Sequence, residues 1–483
     1  MSYSHGKTWI GILLVIGCIG CVKDPVTGRS TLNFMSESQE IQLGEASHES
    51  VVQSMGLYED GDWQPYLDKI GQDIAAVSQR SHLEYHFNVV DSPVVNAFAL
   101  PGGWVYFTRG ILAHFNSEDE LAGVMGHEVG HVVARHSAEQ YSRQQLASLG
   151  FGVAMAFSED FRKYGALAEV GLGLVFLKFS RNQESESDML GVQYTTQLGY
   201  DSHEMAGFFN TIARLSANSG QSVPNFLSTH PNPLNREKRV HELTDKYRAE
   251  MTYKPRNNDA DRYLRRLDGL VYGEDPRNGY LDPGGNAFYH PRWNIQFPTP
   301  DGWKMQRNAF QLQFAPESGE AILMVMRDPE AKSYGEAAEN FTKIEGLQVL
   351  DRNNITVNGF SATRLVSDIA SETQTLRVIS YFIGTRDGVF VGHGLTEPSK
   401  MNAYRGTLEA SLKGFGPLTN REAKRRQPQR VRIKNAPKSA SLQANLQALG
   451  VAQDQMEELS ILNGMKLDAQ VQRGKLLKTI SDR

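Results

Sequence analysis

The run Ser117-Glu-Asp-Glu-Leu-Ala-Gly-Val-Met-Gly-His127-Glu128-Val-Gly-His131-Val-Val-Ala constrains this chain more than any other stretch. Ser117 and Glu120 stand three apart, the spacing of a capping box that opens a helix. The apolar positions that follow recur at helical period. His127 and His131 are four apart, so both imidazoles leave one face and can hold one metal ion between them. Glu128 is offset by about 100° around the helix, beside such a metal and not on it. There it can take a proton from a water whose pKa a bound metal lowers.

A hydrolytic zinc site needs a third protein ligand and keeps a fourth position for water. The only cysteines are Cys18 and Cys21, both close to the N-terminus, so the ligands must be histidines and carboxylates. The segment Phe179-Ser-Arg-Asn-Gln-Glu184-Ser-Glu186-Ser-Asp188 supplies one. Glu184 and Asp188 are four apart on a second expected helix. Glu184 can complete the ligand set while Asp188 accepts a hydrogen bond from a ligating imidazole. Glu186, two residues from each, is expected to point elsewhere. The expected cofactor is one zinc ion per chain on His127, His131 and Glu184. His82, His86, His114 and His136 lack ligand spacing and read as ordinary surface or core residues.

His-Glu-x-x-His followed by Ser-Arg-x-x-Glu-x-x-x-Asp resembles the gluzincin peptidases related to CAAX prenyl endopeptidases, heat-shock membrane proteases and BepA-type periplasmic proteases. Pro25-Val-Thr-Gly28, Asn96-Ala-Phe98, Pro101-Gly-Gly103 and Ser228-Thr-His230-Pro231 match the periplasmic lipoprotein branch of that family. The resemblance covers residues 25 to 245, with Ser187 where the family usually has Ala. It implies a zinc metalloendopeptidase acting on misfolded or misassembled envelope proteins. It also places His230 opposite the metal, either capping it at rest or stabilising the oxyanion. Arg236 either pairs with a carboxylate near the site or lies on the surface. Gly103, Trp104, Val105 and Tyr106 form either an exposed edge strand that receives an extended substrate peptide or a structural hairpin.

Lys7 and the apolar stretch Trp9 to Gly20 read as a signal peptide, too short for a spanning helix. Cys21, or else Cys18, lies where a bacterial lipoprotein is lipidated, and neither is followed by Asp. The expectation is a lipid-anchored protein of the cell envelope, on the periplasmic face and at the outer membrane. A net charge of -5 gives no drive toward nucleic acid.

The expected fold is α+β and multidomain: a leader at 1–21, then a mainly helical zincin-type domain with a small β element at 22–251. A polar linker or extended wrap at 252–288 leads to an α+β domain at 289–416. A basic linker at 417–429 precedes a strand-helix-helix-strand module at 430–483. That module resembles LysM, the peptidoglycan-binding repeat, but has Ala436-Pro-Lys-Ser439 where the usual Gly-Asp-Thr turn stands. Expected partners are therefore protein or peptide substrates, the membrane through the anchor, and peptidoglycan through the last module. Two rival readings stay open at this point. One is a chaperone whose protease site is latent, and the other is a structural peptidoglycan-binding lipoprotein.

Overall fold

A computed structural model describes residues 21–23, 26, 28, 30–33, 35–150, 174–175, 177–218, 225–230, 233–257, 259–307, 311–370 and 374–482. Residues 1–20, with Cys18, lie outside the described residues. So does most of the two Gly-rich apolar stretches at 146–157 and 166–176. Among the described residues no helix is long and apolar enough to cross a membrane.

The N-terminal unit is helical around a small sheet. Helix Glu37–Met55 starts in a capping box in which Ser36 and Gln39 satisfy each other's amides. Helix Trp63–Ala76 buries Leu67, Ile70 and Ile74, one apolar stripe at helical spacing. Three strands follow, His86–Val90, Ala97–Leu100 and Trp104–Thr108. Trp104–Thr108 is the middle strand, parallel to the first and antiparallel to the second. This corrects the edge-strand expectation for Gly103 to Tyr106. Val105 and Tyr106 are fully buried, and the run Val-Tyr-Phe has the apolar continuity of a strand covered on both faces. The edge that runs beside the His127 helix is Ala97–Leu100. Gly102 and Gly103 serve the bend between these strands. Both have positive φ, and a Cβ on Gly103 would fall 2.3 Å from the Glu84 carbonyl oxygen.

Residues 252–288 are not a bare linker. Helix Ala260–Leu267 buries Tyr263, whose hydroxyl donates to the Leu112 carbonyl at 2.8 Å. Strand Val271–Tyr272 also belongs to the first unit's core. The second unit begins earlier than expected, because Tyr280–Leu281 and Ala287–His290 pair within a four-stranded sheet. Beside it stands a seven-stranded antiparallel sheet built from strands between Lys304 and Thr396. Helix Met401–Lys413 covers one face against Ile379 and Ile383, and helix Tyr334–Thr342 covers the other against Leu365 and Phe382. At the C-terminus, strand Gln429–Asn435, helices Leu442–Ala448 and Met456–Leu462, and strand Leu476–Ser481 follow in order. The two strands pair antiparallel.

Candidate active site

Helix Glu118–Val133 carries the histidine pair, and the Ser117 hydroxyl accepts from the Glu120 amide at 3.1 Å. The Glu120 carboxylate reaches one residue further back than a standard box and accepts from the Asn116 amide at 2.7 Å. Helix Arg181–Gln197 crosses it at backbone contact. A Cβ on Gly191 would lie 2.7 Å from the His127 nitrogen, and one on Gly130 would lie 3.1 Å from the Ser187 Cα. Glycine at these positions lets the second helix come near enough for the carboxylate of Glu184 to meet both imidazoles.

The donor atoms converge. His127 Nε2 and His131 Nε2 are 3.0 Å apart, and Glu184 Oε1 is 3.3 Å from His131 Nε2. His230, just after the short helix Asn225–Thr229, places Nδ1 2.9 Å from Glu184 Oε1 and 3.3 Å from His127 Nε2. One ligand atom from each of His127, His131, Glu184 and His230 lies within 4.8 Å of the others. Asp188 Oδ1 accepts from His127 Nδ1 at 3.0 Å, which leaves the Nε2 lone pair facing the cluster. Both carboxylate oxygens of Glu128 and Nε2 of His230 are buried there without a hydrogen-bond partner, 3.6 Å apart at their nearest. Facing lone pairs and orphaned polar atoms in a buried pocket of two to three imidazoles and a carboxylate fit a zinc ion.

The surrounding charges follow. Arg236, on helix Pro233–Glu250, donates to Glu184 Oε2 at 2.6 Å and to both oxygens of Asp188 at 2.6 and 2.9 Å. Its guanidinium also lies 4.3 Å over the Phe209 ring. Burial alone would raise the Glu184 and Asp188 carboxyls, but His230 with Arg236, and Arg236 with His127, hold them below the usual range. Burial raises Glu128 and depresses His131 well below the ordinary imidazole value. His230 is raised, because Glu184 and Glu128 outweigh its burial.

Residues 62–244 match the family described as Peptidase family M48. This segment is therefore similar to M48 peptidases. Among curated relatives, mitochondrial metalloendopeptidase OMA1 of Schizosaccharomyces pombe is 31% identical over 221 residues, 45% of this chain and 65% of that protein. Its counterpart in Arabidopsis thaliana is 33% identical over 186 residues, 38% of this chain and 37% of that one. The beta-barrel assembly-enhancing protease of Escherichia coli is 28% identical over 222 residues, 44% and 45% of the two chains. The chain thus spans about half the length of the curated relatives it matches.

Within the matched segment the structure brings together His127, Glu128, His131, Glu184, Asp188, His230 and Arg236, and it leaves His82 and His86 outside. His136 is the residue that spacing missed. Its Nδ1 lies 2.9 Å from His131 Nδ1 and 3.3 Å from the Ser187 hydroxyl, and its Nε2 lies 3.5 Å from Glu186. His131 is therefore steadied by an imidazole, where His127 is steadied by a carboxylate. Glu186 does point away from the metal cluster, toward His136. A histidine and an acid flanking a metal-ligand motif, both unassigned, were the available signal.

Proposed function

We propose that the chain is a zinc-dependent metalloendopeptidase. His127, His131 and Glu184 would hold the ion, and a bound zinc would supply Lewis-acid polarisation of a water and of the scissile carbonyl. Glu128, buried and unpartnered beside the cluster, takes the proton of the attacking water and delivers it to the departing amine. Asp188 and His136 set the two ligand rings, and Arg236 locks both carboxylates. His230 is aimed at the same space from the opposite side. The convergence of four donor atoms on one point beside an orphaned carboxylate carries this reading.

Substrates on this account are misfolded or misassembled envelope proteins, a reading supported by the relatives named for β-barrel assembly. An extended peptide pairs with the edge strand Ala97–Leu100, which replaces Gly103 to Tyr106 in that role. Cys21, or Cys18, tethers the protein to the periplasmic face of the outer membrane, and residues 430–483 face the peptidoglycan. The test uses residues 22–483, wild type beside Glu128→Gln, with zinc content and casein cleavage as readouts. Zinc in both with cleavage only in the wild type is expected. No zinc in either would end the proposal.

The burial of the whole cluster favours a second reading, a resting state in which His230 serves as a fourth ligand. A His230→Ala variant that cleaves faster than wild type supports it, and one that is inactive assigns His230 to oxyanion stabilisation.

A further inference from the structure

The C-terminal segment is built into the peptidase core. Strand Gln429–Asn435 pairs with Leu476–Ser481 on one side and with Val271–Tyr272 on the other. Leu446, Leu459 and Leu477 belong to the same apolar cluster as Leu112, Phe115 and Leu121, which surround the start of the His127 helix. Arg214 adds a polar tie, donating to the Met465 carbonyl at 2.9 Å and to the Ser460 hydroxyl at 2.6 Å. Gly464 seats directly on Asn116. Its φ is +63°, and a Cβ there would fall 2.8 Å from Asn116 Nδ2.

Lys478 lies at the centre of this contact, fully buried. Its Nζ donates to the carbonyls of Ala113 at 2.8 Å, Phe115 at 2.6 Å and Leu462 at 2.8 Å. All three ammonium protons are used. Two of the acceptors close helix Arg109–His114 and form the turn that leads through Asn116 into Ser117. Glu120 completes the arrangement from the first turn of the catalytic helix, its carboxylate accepting from the Asn116 amide. Burial pushes the Glu120 carboxyl up and the Lys478 ammonium down, and each charge favours the other.

A buried ammonium is an expensive way to gain stability, since apolar residues of similar volume fill such a space at least as well. What it supplies is registry: three carbonyls are held in one geometry that a methyl group cannot enforce. The turn they hold sets where the helix begins, and thus where His127, Glu128 and His131 fall against Glu184. We propose that Lys478 is a positioning residue of the peptidase, and that residues 429–482 are an obligatory part of the catalytic unit although the M48 match ends at residue 244. This inference rests on the peptidase reading above.

The test uses the full chain with Lys478→Met, which keeps length and removes the donors. Cleavage kinetics on casein and amide exchange at residues 116–124 are measured at a temperature where the variant is folded. The expected result is a kcat lowered about tenfold with KM unchanged, together with faster exchange at 116–124 and unchanged exchange in the sheet at 360–396. Wild-type kcat and wild-type exchange in the folded variant would overturn it.

Should Lys478→Met not fold, the double variant Lys478→Met/Glu120→Gln also removes the buried carboxylate that has lost its compensating cation. Thermal stability recovering while kcat stays low supports positioning. Both returning to wild type together shows a merely structural lysine. If the wild-type enzyme itself does not cleave, the peptidase reading fails. Exchange at 116–124 in the variant still decides the role of Lys478, faster supporting it and unchanged overturning it.

Discussion

The two ends of the catalytic helix are held by opposite devices. At the end that follows His131, the anchor is an anion between two guanidinium groups. Glu40, on the first helix, accepts from Arg80 at 3.0 and 3.1 Å and from Arg135 at 2.8 Å, all three side chains being buried. Arg80 also donates to the Val132 carbonyl at 2.9 Å, placing a cation at the helix C-terminus where the dipole favours it. Arg135, with φ of 58°, turns the chain so that His136 comes back beneath His131. At the end that precedes His127, the anchor is a cation on backbone carbonyls, delivered by Lys478 from the far end of the chain. One end is closed within the first third of the sequence. The other needs the last strand, so a helix central to a family-matched domain depends on a segment outside that match.

Breaking the first anchor should have the largest effect. Glu40→Ala leaves two buried guanidinium groups without their shared partner and should cost about 3–5 kcal/mol of stability, read as a shift in denaturant midpoint at unchanged slope. A loss under 1 kcal/mol would mean that water or Glu37 replaces Glu40.

The second anchor should be the acid-sensitive one. His114, buried on the helix that Lys478 caps, is pushed down to about 4 by burial, against a hydrogen bond to the Gly110 carbonyl that raises it. Its folded pKa lies below the unfolded value of about 6.5, so the folded state resists the proton. Stability from this residue is complete above pH 6.5 and falls as pH drops toward 4, by about 2 kcal/mol at pH 5. The His114 share of the stability lost between pH 7 and pH 5 is read as the difference between wild type and His114→Gln unfolding curves. In His114→Gln the gap between the two pH values should shrink, and an equal gap in both proteins would clear His114.

At the other end, His136→Ala should weaken zinc binding about 10- to 100-fold while leaving the ligand set intact. Competition with a chelator of known affinity measures it, and wild-type affinity would show that His131 needs no such support. The smallest effect belongs to the cap: Ser117→Ala should cost about 1 kcal/mol, because Lys478 already fixes the turn before it. A loss above 2 kcal/mol would make the hydroxyl, and not the lysine, the principal anchor.

The sequence was legible where the chemistry is local. The cap at Ser117, the pair His127 and His131, and the pair Glu184 and Asp188 each follow from spacings of three or four residues. Helix Arg181–Gln197 starts after its cap Ser180 and carries Glu184 in its first turn, with Asp188 four residues on. His230 and Arg236 came through family resemblance, since nothing near them in the chain points at a metal. His136 was illegible because the left-handed turn at Arg135 breaks the helical register that would have related it to His131. For Trp104–Thr108, an apolar run opened by Pro101-Gly-Gly103 identified a strand but could not say which strands flank it. Lys478 shows the same limit at longer range: an apolar strand with one lysine reads as half-exposed until its neighbours are known.

The most direct measurement is the zinc content and zinc-edge absorption spectrum of the full chain beside Glu184→Ala. The account predicts one zinc per wild-type chain, bound by nitrogen and oxygen only at about 2.0–2.2 Å, and loss of the metal in Glu184→Ala. A wild-type chain without zinc, or a Glu184→Ala chain with an unchanged spectrum, would contradict it.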